Sequence, residues 1–545
     1  MKTKHLNYLL IFGAFVLSIT INAQNPGGFT AKKGKLKEAE LKRWSHLDLA
    51  KDSVPGMSVD KAYAELLKNK KGIKVIVGII DSGVDIEHED LKSKIWTNEK
   101  EIPGNGKDDD KNGYVDDIHG WNFLGNITKE NYEYIRIVNN KNLVDERTYN
   151  AAKTEMENKT KDVMAAKDEM EKPLKETIKA DEVITKHLGK SVYTIEEVTR
   201  IKSCNAEISK SKMIMQQMLS YGFSIEALRD EIKSQYNYSA QLADKITFVN
   251  HRKILGDNPD DIKDTNYGNN NVTGPDKKGA FHGTHVAGIV AQIRNNNLGS
   301  DGIANNVAIL TVRAVPDGDE YDKDIALGIR YAVDNGAKVI NISFGKSFSP
   351  HKLWVYDAIK YAENKDVLIV QAAGNAAEDI DEEDNFPSDS DDKQTEFVNN
   401  IITVGVLNYK YGESVVADYS NFGKLNVDVF APGVKIYSTT PENTYEFLQG
   451  TSMASSNVTG VAALIRSYYP KLSAAQVKRI LIESGIALET KLRAGANPNG
   501  KKVFSELSKS GRIVNAYNAV KMAEQLLKNP KTQNFNKGSD LTFFK

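Results

Sequence analysis

Five short apolar runs recur along the chain with little polar interruption. Residues 74–80 read Lys74-Val75-Ile76-Val77-Gly78-Ile79-Ile80, and similar runs stand at 307–312, 338–343, 367–372 and 401–406. A continuous β-branched run that does not alternate with polar residues marks a strand buried on both faces of a parallel sheet. Between these runs, residues 282–293, 322–335 and 353–364 carry apolar positions at helical spacing. Strand and helix in alternation predict a doubly wound α/β fold, a mainly parallel sheet with helices on both faces. An amphipathic stretch at 58–68, with Ala62, Ala64, Leu66 and Leu67, predicts one more helix ahead of the first strand.

One long segment breaks the alternation. From about 127 to 265 the composition turns to Lys, Glu, Met and Ala, and Met156, Val163 and Met170 recur at heptad spacing. Thr194-Ile195-Glu196-Glu197 has the form of a capping box opening a second helix toward Ser220, and a third is expected from about Ser224. The segment reads as a large α-helical insertion whose polar faces are solvated, with substrate exclusion or partner docking as its further options. The expected division is a signal peptide at 1–23, a short polar leader or propeptide at 24–53, and the first part of the α/β domain at 54–126. The insertion at 127–265, the second part at 266–522 and a polar tail at 523–545 complete it.

Charge and cysteine narrow the classes. The chain has 545 residues, with 72 Lys+Arg against 73 Asp+Glu, so no global field points to nucleic acid or an anionic membrane. A basic start, an apolar run from Leu6 to about Thr20 and Ile21-Asn22-Ala23 before Gln24 form the parts of a cleavable secretory signal. The run is shorter than the roughly 20 residues of a bilayer span, and no later run is long enough, so no membrane span is expected after signal cleavage. The expected location is secreted or periplasmic. Cys204 is the single cysteine. It can form no intramolecular disulfide, and it reads as a buried or incidental thiol.

The chemistry lies in motifs far apart in sequence. Asp81-Ser82-Gly83-Val84-Asp85 follows the first apolar run, which places Asp81 at the carboxyl edge of the sheet, where open α/β folds put their sites. His282-Gly283-Thr284-His285-Val286-Ala287-Gly288 opens a helix whose small residues permit close packing on the sheet. Gly450-Thr451-Ser452-Met453-Ala454 places Ser452 at a helix N-terminus, where free N–H groups favour a developing oxyanion. Gln371-Ala372-Ala373-Gly374-Asn375 ends a strand in a turn that presents the Asn375 amide as a second oxyanion donor. A serine hydroxyl needs a base within hydrogen-bond reach and a carboxylate to orient that base, and His282 and Asp81 suit those roles. The order Asp, His, Ser separates this chain from chymotrypsin-like and α/β-hydrolase arrangements.

With these motifs in this order, the chain resembles the subtilase family of serine endopeptidases over about 71–483, the helical insertion apart. The resemblance implies a subtilisin-like sheet, an acyl-enzyme on Ser452, and a structural part for His285. It also implies an extended polypeptide substrate that adds as a strand along Ser343, Phe344 and Gly345. Ser456 departs from the family pattern, standing where a Pro usually follows the nucleophile motif, and Asn457 stands where His or Asn is common. No catalytic cofactor is expected, and a monomer is expected. The rival readings are a catalytically silent subtilase-fold binding protein acting through its helical insertion, and an esterase or peptide ligase using the same acyl-enzyme.

Two acidic stretches remain. Asp108, Asp110 and Asn112 alternate around glycines, with the carbonyl of Tyr114 and the carboxylate of Asp116 following, which is the opening of a Ca²⁺ loop of the EF-hand type. His119 stands where the closing bidentate Glu belongs, so structural Ca²⁺ is expected with an incomplete ligand pattern. Residues 378–384 with Asp389, Asp391 and Asp392 form a second run that favours basic side chains or another ion, unless it is a plain solvated loop. The leader is too short for an ordinary inhibitory domain, so it either occludes the cleft as a strand or plays no part in folding.

Overall fold

The computed structural model describes residues 28–244, 246–488, 491–493 and 501–528. The expected signal peptide lies outside the described residues, as does the expected tail beyond Lys528, while 523–528 are not tail but the end of the helix Ala516–Lys528, whose Ala523 is buried. The strands are β1 Val75–Asp81, β2 Gly120–Asn122, β3 Val307–Arg313, β4 Val339–Ile342, β5 Leu368–Ala372, β6 Ile401–Leu407 and β7 Val429–Pro432. They continue with β8 Ile436–Thr440, β9 Thr444–Leu448, β10 Ile486–Ala487, β11 Lys491–Arg493, β12 Lys501–Val503 and β13 Arg512–Ile513. Nine of them form one sheet in the order β10-β13-β7-β6-β5-β4-β1-β3-β2, parallel throughout except for the β10–β13 pair. β1 lies between β3 and β4, with Val77 opposite both Ile309 and Val339. The chain therefore steps outward through β4, β5, β6 and β7 on one side of β1, while on the other β3 fits between β1 and the edge strand β2, and Asp81 ends the strand where the two directions meet.

Alternate side chains of β1 feed two cores. Val75, Val77 and Ile79 pack with Trp44 and the helices Phe281–Ala291 and Thr451–Tyr468. Ile76 and Ile80 pack on the other face, with the helices Asp322–Asp334 and Lys352–Asn364. Burial on both faces is why the five predicted strands carry no polar alternation, each buried Val or Ile contributing about 1.5–3 kcal/mol.

Residues 28–57 fold onto this body. Trp44 is 1% exposed and donates its indole N–H to the carbonyls of Val434 and Lys435 at 3.0 and 3.2 Å. Arg43 pairs with Asp60 and Asp301, and Leu49, Val54 and Met57 are buried in the larger core. The apolar members of this stretch sit one at a time between polar residues, which is why it reads as a polar leader. The helix expected at 58–68 is one α-turn, Val59–Lys61, that widens into a π-helical Ala62–Leu67.

The helical region stands out from the body. Its long helix, Glu146–Leu188, has 43 residues and spans about 64 Å at 1.5 Å per residue. Near its start, Ala152 and Met156 pack on Ile135, Ile137 and Phe348. Toward its end, Leu174 and Ile184 pack on Met215, Leu219 and Leu228. The helix expected from Thr194 to Ser220 is two helices, Ile195–Arg200 and Ala206–Ser220. The capping box at Thr194 and Glu197 forms, but Asn205 starts a fresh helix by accepting from the N–H groups of Glu207 and Ile208 at 2.9 and 3.2 Å. Cys204 lies exposed in that break, which makes it the incidental thiol of the two expected kinds. No described helix is long and apolar enough to cross a membrane.

Candidate active site

β1 delivers Asp81 to the carboxyl edge of the sheet, and the helix Phe281–Ala291 carries His282 over it. Asp81 Oδ1 accepts from His282 Nδ1 at 2.7 Å and from the Ser82 N–H at 2.7 Å. Asp81 is 1% exposed, and its Oδ2 has no hydrogen-bond partner among the described residues. The approach requires glycine on the helix: a Cβ on Gly283 would lie 2.2 Å from the Gly83 carbonyl and 3.1 Å from Asp81 Oδ1. Burial works against the imidazolium of His282, but the charge and hydrogen bond of Asp81 outweigh it, so His282 titrates above the ordinary histidine value. With Nδ1 held, the His282 side chain remains 38% exposed, which leaves Nε2 for a proton acceptor's work.

Ser452 is the second residue of the helix Thr451–Tyr468, so its own N–H has no intrahelical acceptor. Its hydroxyl donates to the Ser343 carbonyl at 3.0 Å, and among the described residues no hydrogen bond joins it to His282. A staggered rotation about χ1 is the motion that would redirect it. Beneath it lies a buried polar set. Ser455 and Ser456 hydroxyls donate to the Ser452 carbonyl at 3.0 and 2.6 Å, and Asn341 holds Ser343 Oγ at 2.8 Å. Ser456, the departure from the family pattern, thus braces the turn that carries Ser452. Asn457 donates to the Pro432 carbonyl at 2.9 Å.

Asn375 is fixed by Thr451, whose N–H and hydroxyl reach its Oδ1 at 2.9 and 3.1 Å. That pins the amide with Nδ2 free of a described partner, beside the start of the Ser452 helix. Asn421, which sequence reasoning did not single out, holds the Asn375 loop from behind. Its Oδ1 accepts from the N–H groups of Ala376 and Glu378, and its Nδ2 donates to the Ala373 carbonyl at 2.9 Å. Gly374 at φ +104° passes so close that a Cβ there would lie 2.4 Å from Asn421 Nδ2. An isolated Asn far down the chain gives no sequence signal for such a brace.

His285 is buried, with Nε2 on the carbonyls of Ile436 and Glu446 at 3.1 Å each. Burial pushes its pKa down to about 3, so it is a neutral anchor for the hairpin of β8 and β9. Ser343, Phe344 and Gly345 continue from β4 past Ser452. Lys346, next in line, pairs its backbone with Phe386 at 3.0 and 2.9 Å. Its buried ammonium is held by Glu133 Oε2 at 2.6 Å, Asp322 Oδ1 at 2.9 Å and the Glu320 carbonyl at 2.7 Å. Burial disfavours that charge, and Asp322 and Glu133 more than restore it, raising the Lys346 pKa. Glu133 belongs to the base of the helical region, which is thereby tied to the segment flanking Ser452.

The acidic loop gathers Asp108 and Asp110 with Glu101, each offering a carboxylate oxygen within 4.8 Å of the others. Glu101 is 6% exposed, and its buried Oε2 has no partner among the described residues, which fits a hard cation beside it. Asp116, expected in the ligand set, turns back at φ +52° and accepts from the N–H groups of Asn105 and Gly106 at 3.2 and 2.8 Å. Asn112 spends its side chain on the Tyr114 N–H and on Asp117, and the Tyr114 ring stacks edge-on against Trp121 and Tyr331. Glu101 precedes the loop by seven residues, outside the spacing that made the loop legible.

The geometry defines a serine-containing site on a doubly wound sheet, and the chain belongs to the subtilase family, whose sequence model matches residues 72–506. Over 187 residues it is 43% identical to the thermophilic serine proteinase of Bacillus sp. (strain AK1), covering 34% of this chain and 42% of that one. It is 40% identical to thermitase of Thermoactinomyces vulgaris over 192 residues, 35% of this chain and 63% of thermitase. It is 38% identical to subtilisin DY of Bacillus licheniformis over 205 residues, 37% of this chain and 69% of the relative. The matched stretches thus span less than two thirds of the first two relatives.

Proposed function

We propose that the protein is an exported serine endopeptidase that hydrolyses extended polypeptides through an acyl-enzyme on Ser452. The observation that carries the proposal is the 2.7 Å bond from His282 to Asp81 at the same sheet edge as Asn375, which Thr451 locks beside Ser452. Ser452 Oγ swings from the Ser343 carbonyl toward His282 Nε2 and attacks the scissile carbonyl, and His282 takes its proton. Asp81 orients the imidazole and stabilises the imidazolium. Asn375 Nδ2 and the Ser452 N–H receive the oxyanion. His282 then protonates the leaving amine, and water, deprotonated by the same imidazole, releases the acyl group.

Ser343, Phe344 and Gly345 offer backbone groups to the substrate strand. No catalytic cofactor enters. Ca²⁺ bound by Glu101, Asp108 and Asp110 would stiffen the loop after β1, in a chain whose one cysteine leaves it no internal disulfide. The protein works outside the cytoplasm as a monomer, with residues 127–265 inserted between Asp81 and His282. Hydrolysis of unfolded casein by the purified protein tests the reading, with Ser452→Ala as control: activity in the parent and none in the variant supports it, and equal rates in both refute it.

A further inference from the structure

A cavity of about 960 Å³ lies between the base of the helical region and the second acidic loop, residues 382–393, and none of the proposed catalytic residues lines it. Its charged lining comprises seven carboxylates against three cations, Arg147, Lys352 and Lys393. Lys352 is engaged with Asp391 at 2.5 Å and Lys393 with Asp384 at 2.9 Å. Glu382 and Glu383 are in none of the described ion pairs. An acidic loop alone is usually solvated surface. Two further observations set this one apart.

Gln371, 2% exposed, lines the cavity from β5 with Oε1 unpartnered among the described residues, while its Nε2 is spent on the Pro387 carbonyl at 2.7 Å. Tyr356, 5% exposed, lines it from the opposite helix with its hydroxyl likewise unpartnered. A buried acceptor without a donor costs about 1–3 kcal/mol, so a native structure rarely leaves one beside a cavity without something to pair with it. Burial first, and then the fields of Asp391, Asp384 and Asp389, hold the Tyr356 hydroxyl protonated. Burial pushes the carboxyl of Asp389 up to about 6 despite Lys478 nearby. The cavity is therefore a pocket of net negative charge with two buried, unpartnered oxygens in its wall.

Its place gives the donor's source. Asn385 and Phe386 line it, and Phe386 pairs with Lys346, the direct continuation of Ser343–Gly345. Gln371 lies on the strand that runs into Asn375. A polypeptide lying along Ser343–Gly345 thus passes the rim, and the volume is far larger than a single ion needs. We propose that this cavity is a recognition subsite for a lysine or arginine side chain of the substrate polypeptide, its cationic head paired with Gln371 Oε1, Tyr356 and the acidic loop. The inference rests on the endopeptidase reading for its purpose, but the site's binding does not depend on catalysis.

The test is binding of a fluorescent hexa-arginine peptide, against a hexa-glutamine control, to the full-length Ser452→Ala chain at physiological salt, read by anisotropy. Hexa-arginine is expected to bind and hexa-glutamine not. Glu382→Gln combined with Glu383→Gln should weaken it about fivefold, as two exposed charges allow. Gln371→Met and Tyr356→Phe, which change no charge, should weaken it about tenfold and about threefold, and thermal melts establish that each variant is folded. Tyr356→Phe removes only an unpartnered hydroxyl, so it remains informative if Gln371→Met does not fold. Binding unchanged in folded Tyr356→Phe would reduce the effect to charge attraction and overturn the subsite. Displacement of the peptide by Ca²⁺ alone, in the parent but not in the Glu382/Glu383 variant, would make it a metal site and overturn it equally. In the active chain, Tyr356→Phe should raise KM for an arginine-rich polypeptide at constant kcat. An inactive parent that still binds hexa-arginine would refute the protease and leave the pocket standing.

Discussion

Gly283→Ala tests the packing that brings His282 to Asp81. By helix propensity alone, alanine in a helix should stabilise by about 0.5–1 kcal/mol relative to glycine. Here the added methyl would sit 2.2 Å from the Gly83 carbonyl, a backbone atom that cannot rotate away. Restoring an ordinary contact of 3.5 Å or so moves the helix and the Asp81 loop apart by roughly 1 Å. Overpacking of this kind costs about 1–3 kcal/mol, which exceeds the propensity gain, so the variant should be less stable. The larger effect is on catalysis. Gly283 adjoins His282 and Gly83 is two residues from Asp81, so the separation opens the 2.7 Å bond. A displacement of that size costs about 10²-fold in kcat, with KM nearly unchanged because the substrate strand is untouched. Initial rates on casein or a chromogenic peptide read kcat and KM, and a urea melt reads stability. Parent-like kcat with raised stability would refute the reasoning, because it would mean the helix and loop have slack the structure does not show.

The remaining predictions concern other parts of the same account. Asn375→Ala should lower kcat by about 10²–10³-fold at similar KM, the usual loss for one oxyanion donor. The acid limb of kcat/KM should lie above the ordinary histidine value of 6.5, because Asp81 favours the imidazolium, and Asp81→Asn should move that limb down while cutting kcat about 10⁴-fold. The same pair acts oppositely on stability: its contribution is complete below pH 6.5 and is lost as pH rises through the raised folded value, which pH-dependent melts would read. Ca²⁺ at a hundredfold excess over its dissociation constant should stabilise by about 2.7 kcal/mol, and Glu101→Gln should abolish that gain, as calorimetry with and without chelator would report. Trp44→Ala should cost about 3–5 kcal/mol in a denaturant melt, because the residue is 1% exposed in the main core.

The strands of the sheet centre were legible because burial on both faces writes itself as an unbroken β-branched run. All five predicted runs became strands within a residue or so of their expected ends. The peripheral strands were not. β2, β10 and β13 have two or three residues each, too few for any period to show, and β9 alternates between half-buried and exposed without a strong apolar series. The catalytic candidates were readable because each sits in a short motif, Asp81 and Asn375 at or just after such a run and His282 and Ser452 at the start of a helix rich in small residues. What holds them was not. Asn421, Gly374 and the polar contacts beneath Ser452 act through tertiary approach, with Ser343 meeting Ser455 and Asn341 meeting Thr459 across more than a hundred residues of sequence. Glu101 and Trp44 escaped for the same reason, since each is one residue whose meaning depends on what the fold brings against it.

The central claim is that Ser452 is a nucleophile activated by His282 and Asp81. Its most direct test is intact mass after exposure to a serine-directed phosphonate, with peptide mapping of the adduct and casein hydrolysis followed in parallel. The account predicts a single adduct on Ser452, activity lost in step with labelling, and neither adduct nor activity in Ser452→Ala. A folded, Ca²⁺-loaded protein that remains unlabelled and leaves casein intact would contradict it.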